Sequence, residues 1–164
     1  NYHPFKYGNI VGIHNGHVQA PQSYDVDSML IFDELNKHNG DYQAALKDIS
    51  GYFAIAWYDG ELLRLNTHDH FVHLGRIGDT VYWSSEALPL SAIGIRDIRT
   101  IENGDSVSVS RTGVVTDLTK FIGTPKEIEQ YGYYTSKQSF NRQEWIGGVK
   151  TNEKTYFVLS FVPI

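Results

Sequence analysis

Apolar positions follow two different rhythms along the first fifty residues. Residues 9–13, Asn9-Ile10-Val11-Gly12-Ile13, form a short apolar run that predicts a buried strand, and Asn15-Gly16 after it reads as a turn. From Asp25 to Asn36 the side chains of Val26, Met29, Leu30, Ile31, Phe32 and Leu35 return at helical spacing. Ser23 or Asp25 would cap that helix, Asp27 falls in its first turn, and Asn39-Gly40 ends it. A second helix is expected from Asp41 through Ala44, Ala45, Leu46 and Ile49, stopped by Gly51.

Beyond Gly51 the rhythm is that of strands. Residues 52–58 are almost wholly apolar, which predicts a strand buried on both faces. Asp59-Gly60 makes a hairpin turn, and residues 62–65 answer it. Further strands are expected at 71–77, 80–84 and 106–110, with turns at Gly78-Asp79 and Thr112-Gly113 and a short helix over 87–92. Residues 120–145 are polar and tyrosine-rich, and 155–162 would form a last strand. Helices set between blocks of antiparallel strands predict an α+β domain with layered sheets.

Composition narrows the function classes. The 164 residues fit one domain with a real core. The net charge of -5 gives no basic surface for nucleic acid or anionic membranes, so neither is expected as a partner. No apolar stretch approaches the roughly 20 residues of a membrane span, and no signal-peptide pattern is present. The chain has no cysteine, which excludes disulfides and thiolate metal sites and suits a reducing, cytoplasmic setting. No cofactor or metal is expected.

The most informative chemistry lies at Asn15-Gly16. A side-chain amide next to a backbone N–H is the pair of donors that an oxyanion hole requires. Asp27, eleven residues on, is a carboxylate suited to a substrate ammonium. The plain readings are a turn for Asn15-Gly16 and a helix first-turn carboxylate for Asp27.

The order of motifs tips this balance. Asn1-Tyr2-His3-Pro4-Phe5, then Ile10-Val11-Gly12-Ile13-His14-Asn15-Gly16, then Asp27 heading a helix, resembles class II glutamine amidotransferase domains. Ser50-Gly51-Tyr52-Phe53-Ala54 with its hairpin, His68-Asp69, Ser84-Ser85-Glu86 before a short helix and Glu102-Asn103-Gly104-Asp105 extend the resemblance, in the family's order, over residues 1–118. It implies an Ntn-hydrolase-like four-layer α/β/β/α sandwich with antiparallel sheets, and hydrolysis of glutamine to glutamate and ammonia. By resemblance, Asn15 and Gly16 form the oxyanion hole, while Gly16 and Asp27 hold the glutamine α-ammonium.

The family's nucleophile is an N-terminal Cys, carried with a carboxylate-binding Arg on a segment that precedes these motifs. Neither is found here, so the resemblance implies the C-terminal portion of such a domain, incomplete at its N-terminus. The Cys would come from a missing segment or a separate polypeptide, and the chain would not be active alone. Such a chain by itself would expose sheet edges and apolar faces and be poorly soluble or oligomeric. Residues 119–164 would be a C-terminal extension packed on the same domain. Two alternatives stay open: a non-catalytic amidotransferase-like module that binds a small amino acid or a protein, and a structural remnant of a larger assembly.

Other motifs favour plain readings. His68-Asp69-His70 with His73 invites a metal, but a strand would put only His68 and His70 on one face. Ser84-Ser85-Glu86 lacks the setting of a serine hydrolase and reads as a strand-to-helix cap. His14 reads as a structural histidine before it reads as a base. Gly8, Gly12 and Gly16 lack the ending of a phosphate loop. Tyr131, Tyr133 and Tyr134 read as packing or interface residues, with stacking on a ligand as the alternative.

Overall fold

Phe53, Ile55 and Trp57 point to one face of a strand and Ala54 and Ala56 to the other, and all five are buried. That strand therefore lies between two layers. The computed structural model describes residues 3–123 and the backbone of 159–161. In chain order its elements are β1 (Phe5–Tyr7), β2 (Ile10–Val18), α1 (Asp27–Lys37), α2 (Tyr42–Leu46), β3 (Gly51–Tyr58), β4 (Leu63–His68), β5 (Phe71–Ile77), β6 (Thr80–Ser84), α3 (Ala87–Ala92), β7 (Arg99–Glu102), β8 (Ser106–Val109), β9 (Val115–Asp117) and β10 (Leu159–Phe161). The strands form a six-stranded sheet of order β1-β2-β3-β4-β8-β9 and a four-stranded sheet of order β10-β6-β5-β7. Every pairing is antiparallel.

Two apolar cores separate the layers. Ile31, Phe32 and Leu35 of α1 and Ala45 and Leu46 of α2 pack on Phe53, Ile55 and Trp57 of the large sheet. On its other face, Ala54, Ala56, Leu63 and Leu65 meet Val72, Leu74, Val81, Trp83 and Ile101 of the small sheet. α3 lies against β5 and β6 outside the small sheet, with Leu90 fully buried and Ile95 seated over Gly75. The result is the α+β sandwich expected from the sequence, layered α/β/β/α with antiparallel sheets.

The largest departure from the sequence reading lies at Asn15-Gly16, which is strand and not turn. β2 pairs with β3 in unbroken register through Asn15↔Ala54, Gly16↔Phe53 and Val18↔Gly51, and the Gln19 N–H still donates to Ser50 O at 2.8 Å. Asn-Gly is a local signal, and a full ladder of partners on β3 overrides it. Gly16 is nonetheless required: its φ is +140°, and a Cβ there would lie 2.2 Å from Tyr52 O.

Helix ends divide between agreement and correction. Asp41 caps α2 by accepting from the N–H groups of Gln43 and Ala44 at 3.1 and 3.2 Å, and Gly40, at positive φ, closes α1 by donating to Leu35 O at 2.8 Å. Neither Ser23 nor Asp25 caps α1. The helix starts at Asp27, whose Oδ1 accepts the Ser28 N–H at 2.8 Å. The second helix is shorter than expected and ends at Leu46. β7 and β9 were not visible in the pattern because strands of three or four residues carry too few alternations. β10, within the expected 155–162 strand, pairs with β6; Tyr131, Tyr133 and Tyr134 lie outside the described residues.

Gly12 sets the spacing between α1 and the sheet. A Cβ there would come within 2.2 Å of the Phe32 ring, which is fully buried and stacked on Phe5 at 6.0 Å. Gly12→Ala is expected to cost about 1–3 kcal/mol by overpacking. The urea midpoint reads this directly, and an unchanged midpoint would show that Phe32 yields freely.

Candidate functional site

The hydrogen-bond phase of β2 decides what its outer edge presents. In an antiparallel pair the bonds alternate residue by residue. The Gln19–Ser50 bond fixes the phase, so odd-numbered residues of β2 exchange bonds with β3 and even-numbered ones face the opposite edge. β1 occupies that edge only as far as Gly12. From His14 onward the N–H groups of His14, Gly16 and Val18 therefore point away from the ladder. The His14 N–H donates to His3 Nε2 at 3.4 Å, and the Val18 N–H donates to Asp27 Oδ2 at 3.0 Å. Between them lies the outward N–H of Gly16, about 7 Å from that of Val18 along the strand.

Asp27 is held from both sides. Its Oδ1 takes the Ser28 N–H at 2.8 Å and lies 3.4 Å from Ser28 Oγ, while its Oδ2 takes the Val18 N–H and lies 3.3 Å from His17 Nδ1. The carboxylate thus ties the first turn of α1 to the edge of β2. Asn15 is exposed, on the face of β2 opposite to His14. Gly16 and Asp27 thus share one edge of β2, and Asn15, whose backbone faces β3, precedes them on the strand.

His14 is the buried member of the group. It is 8% exposed, and its Nδ1 lies 2.9 Å from Ser28 Oγ. Its Nε2 is buried without a hydrogen-bond partner among the described residues. Burial pushes its pKa down to about 4, against the upward pull of Asp27, with His3, His70 and His17 adding to the depression. The imidazole is therefore neutral at pH 7. Burial also lowers the pKa of His3, opposed by Asp27, and that of His70. Pattern reading missed Ser28, His3, His17 and His70 here. Only the phase of β2, with His14 on the same face as Ile10 and Gly12, could have pointed to a helix residue such as Ser28.

The histidine-rich stretch does not gather. β4 ends at His68 and the chain crosses to the other sheet through Asp69, at φ +47°, so His68 and His70 do not share a strand. His68 packs among Phe53 and Phe121, His70 lies against Tyr52 and Phe71, and His73 Nδ1 is 3.1 Å from Thr100 Oγ1. Among the described residues no three His, Asp or Glu side chains are grouped to hold a metal. Ser84 Oγ accepts the Glu86 N–H at 3.2 Å at the turn into α3. No helix among the described residues is long and apolar enough to cross a membrane.

No protein-family model matches this chain, and no curated protein matches it. Among solved structures it is similar to the glutamine phosphoribosylpyrophosphate amidotransferase from B. subtilis, complexed with ADP and GMP, with a TM-score of 0.55 and 17% sequence identity. The two share a fold. The match covers 72% of this chain and 31% of that one, so the chain spans about a third of the amidotransferase's length. The likeness supports the Ntn-like α+β sandwich as a fold; it does not reach activity or individual residues.

Proposed function

We propose that this chain contributes the oxyanion hole and the glutamine-binding residues of a class II glutamine amidotransferase site. The observation that supports this reading is the edge of β2 beyond Gly12, which no strand among the described residues pairs. There an outward Gly16 N–H follows the exposed Asn15 and lies two residues from Val18, whose N–H anchors the carboxylate of Asp27. A molecule with a carboxamide at one end and an α-ammonium at the other fits that order of groups.

In this mechanism a Cys thiolate attacks the carboxamide carbon, and the carbonyl oxygen becomes an oxyanion held by Asn15 Nδ2–H and Gly16 N–H. The C–N bond breaks, the nitrogen takes a proton and leaves as ammonia, and water then cleaves the thioester to glutamate. Asp27, with the Gly16 backbone, holds the α-ammonium throughout. The sequence contains no cysteine, so the nucleophile comes from outside these 164 residues, on a preceding segment or a separate polypeptide. Residues 1–118 form the amidotransferase-like domain in this reading, and 119–164 extend it.

Binding tests the site without the nucleophile. L-Glutamine is expected to bind the chain, and Asp27→Asn to weaken it roughly tenfold to a hundredfold, the worth of a charge-assisted hydrogen bond. Calorimetric titration measures this. Equal affinity in wild type and variant would remove Asp27 from the site.

The same lack of cysteine favours a second reading, a non-catalytic module that binds a small amino acid or a protein partner. Ammonia release once a Cys-bearing segment is supplied separates the two.

A further inference from the structure

An ammonium that reaches Asp27 finds its acceptor positions taken. A carboxylate offers about four lone-pair sites, and here four groups lie against them. The Val18 and Ser28 N–H groups belong to the backbone and cannot leave. Ser28 Oγ, the third, is buried against His14. The fourth is His17 Nδ1, 3.3 Å from Oδ2 on a side chain that is 69% exposed. His17 is the one group of the four that can swing into solvent and clear the carboxylate.

Resting on the reading of Asp27 as the ammonium subsite, we propose that His17 is an affinity-determining residue of that subsite. Its imidazole stands on Asp27 Oδ2 as an internal competitor of the substrate's ammonium. His3 and His14 also feel the charge of Asp27, but among the described residues His17 is the histidine paired with its carboxylate.

The test titrates L-glutamine by calorimetry into the 164-residue chain, with wild type and His17→Ala side by side. His17→Ala is expected to bind about two- to fivefold more tightly, the range of an exposed pair. Equal or weaker binding by His17→Ala would overturn the inference and leave the glutamine site standing. Absence of binding in both proteins would overturn the site and the inference together.

Discussion

Asn15→Ala is expected to lower kcat for glutamine hydrolysis by about a hundred- to a thousandfold, the usual loss for one oxyanion donor, if the proposed site is completed with a cysteine. KM is expected to stay nearly unchanged, because the ground-state carbonyl carries little of the charge that an oxyanion donor stabilises in the transition state. The fold gives this substitution an unusually clean reading. Asn15 is exposed and contributes to β3 only through its backbone, paired with Ala54, so alanine removes the amide and leaves the ladder in place. Steady-state ammonia release with wild type and variant measures it. An equal kcat would remove Asn15 from the chemistry and return it to a surface position. Gly16 does not allow so clean a test, since any side chain there meets the Tyr52 carbonyl.

The second large effect is acid destabilisation through His14. Its pKa in the fold is about 4 against an ordinary 6.5, because burial beside Ser28 disfavours the imidazolium. Well above about pH 6.5 both folded and unfolded chains carry a neutral imidazole, and stability from this group does not vary. As pH falls from there to about 4, the unfolded chain takes a proton that the folded chain refuses. Stability is lost across that window and levels off below it. A depression of this size is worth about 3 kcal/mol. Urea midpoints at about pH 7 and about pH 4.5 should show wild type losing nearly that much more than His14→Gln, since the remaining groups titrate alike in both. Parallel pH profiles for the two proteins would show that His14 is protonated without cost, and hence that it is not enclosed.

Much of this was legible in the chain. The periodicity of Ile31, Phe32 and Leu35 fixed the buried stripe of α1, and the doubly apolar run at 53–57 could only be a strand with layers on both sides. Those two features, with their turns, were enough for an antiparallel α+β sandwich. The polar pairing was not legible. Local turn chemistry at Asn15-Gly16 pointed to a chain reversal, and β3, some forty residues away, made it a strand. Capping rules pointed to Ser23 or Asp25, and the edge of β2 drew Asp27 instead.

By itself the sequence determined which residues are apolar and at which period, and therefore that helices and antiparallel strands are stacked in layers. Burial is non-directional and depends on pattern alone. The tertiary structure alone decided which N–H groups of β2 face outward, that Asp27 spans helix and strand, and that His17 stands on its carboxylate. Hydrogen bonds are directional and join residues far apart in the chain, so their partners exist only once the sheet has registered.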